Sequence, residues 1–452
     1  MADFHCAVAA ATSAAAQPVD MEQRTERTTV AIIGGGVGGL AAAVALAQAG
    51  TDCLVFERDA TLAARRHGYG MTLSSDAKGP LGALGILERC RALDCASAAH
   101  WVFDGAGRAV GYYGRGLGEE PDRGLGGKPD GGGRSGSLRV QRQQLREVLL
   151  ERLEGLAPGR VRWGRKLAGY VDDCDGVTAA FDDGSRVRCD ALVGCDGLRS
   201  EVRRRVDAAA PRPSPLRPVG VSAVVGLSRH RDPLVEGRGF YVLDGASRLF
   251  TMPFSPVLTM WQLSYRDDGP GALARSDGDG PALLAAARSR VAGWRSVGAV
   301  AAALVDGTDP GSLWASRLYD RDAMAVESAS RSRVTVLGDA CHPMTCFKGA
   351  GANSALADAP LLARCLGARG RDVAKKLRVF EREMVARAGP RAAASREAAA
   401  ILHSGAALTH ELPSFARVDD GAGAARRLAA AGLTATSHAD LEAAARGVLF
   451  QN

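Results

Sequence analysis

Aromatic residues make up only 5% of this 452-residue chain, and no run of apolar residues is long enough to span a bilayer. The first scarcity weakens any case for base-stacking platforms, and the second leaves no integral membrane segment. The ten cysteines show no C-x-x-C unit and no paired framework spacing, which excludes a disulfide scaffold and points to a reducing compartment. The net charge of +7 rests mostly on arginines spread through segments such as RRHGYG, EVRRRV and SRSR. Dispersed in this way it suits a basic enzyme that attracts anionic ligands and argues against nucleic acid as a partner. The first 29 residues lack the apolar core of a secretory signal, and Asp3, Asp20, Glu22 and Glu26 are acids an import peptide avoids. They are expected to form a disordered leader on a cytoplasmic protein, with organelle import left open.

The remaining composition, 46% hydrophobic and 24% charged, is that of a globular chain too long for one small core. Order is expected from residue 30, where TTVAIIGGGVGGLAAAVALAQAGTDCLVFERD reads as strand, glycine turn, helix and strand, a βαβ unit. Residues 114–137 are so rich in glycine that they are expected to form a mobile loop. Leu138, Leu145, Leu149 and Leu153 predict a helix from about Arg142, and VTAAFDDGSRVRCDALVGCDG predicts a hairpin turning at Asp183-Gly184 and a buried strand ending at Asp196-Gly197. Proline-rich residues 211–220 read as a linker to a second, antiparallel sheet carried by GFYVLDG, SRLFTMPF and LTMWQLSYR. RVTVLGDA then returns to a buried strand. The expected fold is therefore α/β, a Rossmann-like domain over 30–210 and 318–390 with a sheet domain inserted at 211–317 and a helical tail over 391–452.

The first chemical motif is Gly34-x-Gly36-x-x-Gly39, directly after a strand and directly before a helix. Gly34 permits the turn, Gly36 lets a pyrophosphate approach, Gly39 lets helix and strand pack, and Glu57 at the end of the second strand is placed to accept from a ribose diol. The second is GDACHPMTCFKGAGANSALADA, from Gly338 to Ala359. Its Cys341, His342 and Cys346 suggest a thiol nucleophile or a metal site. Pro343 directly after His342, the lack of a second ligand pair and the lack of a nucleophile elbow weigh against both readings.

At this point the chain resembles the FAD-dependent aromatic hydroxylases typified by para-hydroxybenzoate hydroxylase. The resemblance rests on the glycine fingerprint, on Asp196-Gly197-x-x-Ser200-x-x-Arg203, on Gly-Asp-Ala-x-His-Pro continuing to Gly349-x-Gly351-x-Asn353, on Arg142-x-x-Leu145 and on the loop from Gly68 to Leu73. Carried over, it implies that Asp196 and Gly197 serve FAD and a transient nicotinamide cofactor. Asp339 would bind the ribityl chain, Pro343 would lie beside the flavin ring, and the amides from Gly349 through Gly351 and Ala352 to Asn353 would face its pyrimidine edge. Arg142 would hold the phosphates or adenosine, with Arg58, Arg65 and Arg66 as further phosphate candidates. Cys346 and Ala350 depart from the family's Pro-x-x-Gly-Gln-Gly.

The resemblance implies a flavin monooxygenase that takes hydride from NADPH or NADH, forms a flavin C4a-hydroperoxide with dioxygen and hydroxylates an electron-rich, aromatic small molecule. The catalytic group would then be borne by the flavin, with Pro343, Gly349 and Gly351 lining its ring and no acid or base identified. Candidate substrate contacts are Tyr241, Met252, Phe254 and Trp261, for each of which ordinary strand core is the competing reading. A dehydrogenase or reductase of the same fold, and a degenerate FAD-binding protein without activity, remain as alternatives.

Overall fold

The computed structural model describes residues 25–408, except 65–67, 98, 108, 115–136, 174, 211–212, 233, 268–278, 296, 323–331 and 371. Most of the leader, most of the glycine-rich segment and the tail beyond 408 lie outside the described residues.

One sheet collects β1 (Glu26–Ile33), β2 (Cys53–Glu57), β7 (Val161–Trp163), β8 (Leu167–Asp173), β9 (Gly176–Phe181), β10 (Arg186–Gly194) and β16 (Val334–Val336), in the order β7-β2-β1-β10-β9-β8 with β16 also on β10. The pairs β7-β2, β2-β1, β1-β10 and β10-β16 are parallel. Val30 to Ile33 are buried without alternation, as expected of a strand covered on both faces. The strand begins at Glu26, four residues earlier than the predicted start of order, because Glu26, Arg27 and Thr28 pair with Val187, Arg188 and Cys189 of β10. β9 and β10 form the predicted hairpin, with Gly184 at φ 84° in its turn.

Helix α1 (Val37–Gln48) is alanine-rich and buried from Gly39 to Leu46. It is wedged between the sheet, α4 (Arg142–Leu156) and α8 (Ala350–Gly367), so a one-sided apolar stripe would not suffice. Two short helices, α2 (Pro80–Ala83) and α3 (Leu87–Ala92), and a ribbon of β3 (Gly70–Ser74) paired with β6 (Ser137–Gln141), complete this part. Helix α5 (Glu201–Ala209) follows β10.

The second sheet runs β15-β11-β14-β13-β12-β4-β5, built from β4 (Ala99–Asp104), β5 (Ala109–Gly114), β11 (Arg217–Ser228), β12 (Gly239–Leu243), β13 (Ser247–Ser255), β14 (Leu258–Arg266) and β15 (Trp314–Asp320). Several sequence expectations need correction here. β4 and β5, expected within the first domain, join this sheet, and β4 lies parallel to β12 in an otherwise antiparallel array. Residues 217–220, read as linker, belong to β11, where Arg217 and Pro218 pair with Asp320 and Tyr319, and β15 itself crosses the predicted boundary at 318.

One face of this sheet packs on α6 (Gly280–Val291) and α7 (Val297–Asp306) through Phe240, Leu249, Trp261 and Leu263. Trp261 belongs to that face and its Nε1 donates to Thr308 Oγ1 at 2.8 Å, so it points away from the first sheet and is not a substrate contact. Met252, Phe254 and Met260 pack together on the opposite face, and Tyr241 lies against Phe347 from the loop before α8.

Helix α9 (Val373–Leu402) passes through the predicted 390/391 boundary with Pro390 inside it. A proline there costs about 3 kcal/mol, and the buried row Leu377, Phe380, Met384, Ala388, Ala392 and Ala399 holds the helix continuous. Glu381 of α9 is buried against β16, where the Thr335 hydroxyl donates to its Oε1 at 2.8 Å. Burial lifts its pKa from 4.5 to about 7, against the opposing pull of Thr335, Arg378 and Arg203. A carboxyl with a higher pKa folded than unfolded contributes its full stability below 4.5 and loses it as pH rises through about 7. Glu381→Gln is therefore expected to raise stability at pH 8 by roughly 1–3 kcal/mol, and to change it little at pH 4.5, in urea unfolding curves at the two pH values.

Candidate active site

A cavity of about 400 Å³ opens where the parallel strands end. Ile33 closes β1, Glu57 closes β2, Cys195 and Asp196 follow β10, and Leu337 and Gly338 follow β16, and all six line it. Ligands of open α/β sheets bind outside the carboxyl ends of the strands because the chain reverses there and leaves a crevice.

The glycine turn supplies one wall. Gly34 has φ 109°, and a Cβ on it would stand 2.5 Å from the Cys195 carbonyl oxygen. A Cβ on Gly39 would lie 1.9 Å from the Gly34 oxygen, so Gly39 stands behind the cavity and sets the packing of helix on turn. Gly36 differs from both, since a Cβ there meets nothing within 4 Å and projects into open space. The Glu57 carboxylate accepts from the Gly35 amide at 2.6 Å and the Asp59 amide at 2.9 Å, fixing the turn to β2. Arg146, buried on α4, donates from Nε to the Gly35 oxygen at 3.1 Å.

Asp196 and Gly197 form the second wall. Asp196 accepts from Ser200 Oγ and from the Glu201 amide at 2.7 Å, so it caps the start of α5 as well as bordering the cavity. Gly197 holds φ 81°. Arg203 is not at the cavity; it donates to Asp207 at 2.8 Å and to the Cys341 carbonyl at 3.3 Å, tying α5 to the next wall.

That third wall is the segment opened by Gly338. Asp339 opens onto the cavity, and desolvation by the surrounding walls raises its pKa against the opposing charges of His342 and Arg142. His342 turns the other way: its Nε2 sits 2.8 Å from Asp358 of α8. The same carboxylate accepts from the Gly338 amide at 2.9 Å and pairs with Arg387 of α9. Burial alone would lower the His342 pKa, but the Asp358 charge and hydrogen bond set it above its ordinary value. His342 is thus a strut for the loop. Among the described residues no group of three or more His, Cys, Asp or Glu side chains stands close enough to hold a metal ion.

Gly349, at φ 60°, starts α8, whose first turn brings Gly351 and Ala352 to the cavity. Pro343, Gly349 and Asn353 do not border it. Asn353 accepts from the Ser74 amide at 3.0 Å and donates to the carbonyls of Thr72 and Gly349, each at 2.9 Å. It clamps β3 onto the start of α8. The cavity is also lined by cations: Arg58, Arg142 and Arg199 carry no ion pair among the described residues, whereas Arg165 pairs with Asp183. Arg65 and Arg66 lie outside the described residues.

Tyr69 lines the end nearest the second sheet, its hydroxyl within electrostatic reach of Arg142, Asp339 and Cys346, and burial raises its pKa. Its ring centroid is 5.9 Å from that of Trp314. Cys195, Arg146, Asp358 and the individual part of Tyr69 escaped the sequence reading. A cysteine beside a glycine turn, an arginine one turn past Arg142 and an aspartate inside a helix carry no local signature.

The cavity tests well for a dinucleotide. Added Cβ atoms on Gly36 and Gly197 would meet nothing within 4 Å, and the nearest atom to one on Gly351 is 3.7 Å away, so three glycines border the space. Two helix N-termini, of α1 and α8, and Arg58, Arg142, Arg199 and Lys166, none of which carries an ion pair among the described residues, favour an anion there.

The sequence pattern of the FAD binding domain family matches residues 27–268 and 298–389. A 3-amino-4-hydroxybenzoate 2-monooxygenase of Streptomyces platensis is 30% identical over 365 residues, covering 78% of this chain and 83% of its own. A 2-heptyl-3-hydroxy-4(1H)-quinolone synthase of Pseudomonas aeruginosa is 33% identical over 370 residues, covering 79% and 85%. Among solved structures, Klebsiella pneumoniae HpxO complexed with FAD and uric acid superposes with a TM-score of 0.69 at 25% identity, covering 84% of this chain and 90% of that one. With the glycine turn, the Asp196-Gly197 turn and the Gly338 segment meeting at one crevice, the chain belongs to the FAD binding domain family and is an FAD-dependent monooxygenase of the aromatic hydroxylase type.

Proposed function

We propose that the chain hydroxylates a small, electron-rich aromatic molecule with dioxygen, using NADPH or NADH as reductant, in the cytoplasm. The observation that carries this reading is the continuity of one cavity from the glycine turn to the first turn of α8 and Tyr69, whose ring meets Trp314 of the second sheet. In this reading Gly34, Gly36, Glu57, Arg58 and Arg142 hold the nucleotide end of FAD, Asp196, Gly197 and Asp339 hold its middle, and the amides of Gly351 and Ala352 face the ring, with Pro343 and Gly349 shaping the loop behind them. Bound FAD supplies the electron-transfer and dioxygen chemistry.

The protein's own part is to bind, orient and exclude water. The α8 N-terminus favours negative charge beside it by about 0.3–1 kcal/mol, and by up to roughly 2 kcal/mol when partly buried. Asn353 fixes that terminus against β3, and the Asp358 strut fixes Asp339. The parallel-sheet part serves the cofactor and the second sheet the substrate, with Tyr241, Met252 and Phe254 on or near the substrate side. The free cysteines among the described residues suit a reducing compartment.

The test is a single incubation of the purified yellow protein with NADPH or NADH, a panel of phenols, aminophenols and quinolones, and labelled dioxygen. Label in the product is expected. Reductant oxidation without label would assign a reductase instead, and no turnover over the panel would assign a binding protein.

A further inference from the structure

The face of the second sheet opposite α6 and α7, which meets β3 where the Gly70 amide donates to Met260 Sδ at 3.2 Å, carries a polar cluster unused so far. Arg248 of β13 is 3% exposed, and no carboxylate pairs with it among the described residues. Its guanidinium lies over the rings of Tyr241, Phe250 and Phe347 at 5.0, 5.1 and 5.0 Å. Nη1 donates to Gln262 Oε1 of the neighbouring strand β14 at 2.9 Å, and the buried Nε finds no acceptor. The exposed Cys346 thiol donates to the same Gln262 oxygen at 3.4 Å.

These contacts settle which way the amide points. A guanidinium has only donors, so the carbonyl oxygen of Gln262 must face Arg248 and the thiol. Its Nε2 is thereby turned away, with two N–H groups and no acceptor among the described residues. A second donor, Trp314 Nε1, is buried without an acceptor beside Tyr69. Leaving the buried Trp314 donor unmet costs about 1–3 kcal/mol, which an oxygen on a bound molecule would relieve, while the half-buried Gln262 amide is open to the same oxygen. A proline at position 346, the residue the family's pattern has there, supplies no thiol to hold Gln262.

We infer that Gln262 reads a hydrogen-bond-accepting oxygen, a carboxylate or ring carbonyl, on the aromatic substrate, with Arg248 and Cys346 as positioning residues that orient its amide. This rests on the hydroxylase reading for the identity of the molecule bound, and the test separates the two.

The FAD-loaded protein is titrated with two matched pairs, 4-quinolone against quinoline and 4-hydroxybenzoate against phenol, following the flavin absorbance change, which requires no turnover. In the wild type the oxygen-bearing member of at least one pair is expected to bind at least about tenfold tighter. Gln262→Leu should shrink that preference to within about threefold while retaining its flavin. Arg248→Met should do the same, because the amide is then free to flip, and Cys346→Ser, which keeps a donor, should preserve it. If Arg248→Met does not fold, Gln262→Leu decides. Equal binding within both pairs, binding of neither pair, or a preference undiminished in Gln262→Leu overturns the inference. Loss of preference in Gln262→Leu without label transfer from dioxygen in the wild type supports the inference and overturns the reaction.

Discussion

Gly36→Asp is expected to yield a folded but colourless protein. A Cβ at Gly36 meets no atom within 4 Å, and the residue already has the extended backbone of a helix N-cap, φ −75° and ψ −175°. Aspartate suits that position better than glycine by a few tenths of a kcal/mol, so the apo protein should melt no lower than wild type. The same carboxylate would stand in the space at the α1 N-terminus and repel an anionic cofactor. An FAD affinity at least about a hundredfold weaker, or about 2.7 kcal/mol, is the expected reading from fluorescence titration. Gly39→Ala makes the contrast. Its Cβ would meet the Gly34 oxygen at 1.9 Å, a backbone contact that cannot yield, so this variant should lose thermal stability with or without FAD. If both variants lose FAD while keeping apo stability, the division of labour between the two glycines is wrong.

The second large effect is expected at Asp358, which has no place in the cavity. Its carboxylate meets His342, the Gly338 amide and Arg387 while itself fully buried. Asp358→Asn would leave the part-buried Arg387 guanidinium and the buried His342 without their counter-charge, a loss of roughly 2–3 kcal/mol after discounting for the exposed part of Arg387, read as a lower urea midpoint. Because the Gly338 amide also loses a charged acceptor, FAD affinity should fall in the same variant. Adding Arg387→Met to Asp358→Asn removes the uncompensated cation and should recover part of the stability without recovering FAD affinity. A double variant no more stable than the single one would show that the penalty does not come from Arg387.

Much of this arrangement was legible from the sequence because it is local. The glycine fingerprint works through residues within one turn, and Gly34, Gly36 and Gly39 have distinct duties that their spacing already implies. The Asp196-Gly197 turn and the Gly349 start of α8 likewise depend on backbone angles that neighbouring residues set. Continuous apolar runs predicted the strands of the first sheet, and alternating segments those of the second. It did not predict that β4 and β5 cross into the second sheet, because strand pairing is decided by register with distant strands such as β12.

Long-range pairing decided the rest. Trp261 and Met260 are adjacent in sequence and face opposite sides of β14, and nothing local said which side would be covered by α6 and α7. Asn353 looked like part of a ring-binding run, yet its side chain is engaged by Thr72 and Ser74, nearly three hundred residues earlier in the chain. His342 and Cys341 read as chemistry and became structure once Asp358, Arg387 and Arg203 closed around them. Alone, then, the sequence determined the cofactor, through short backbone motifs that work wherever a strand, a turn and a helix follow one another. Only the tertiary structure decided which side chains meet around that cofactor's space, because Cys195, Asp339 and Tyr69 come to one cavity from segments that share no local pattern.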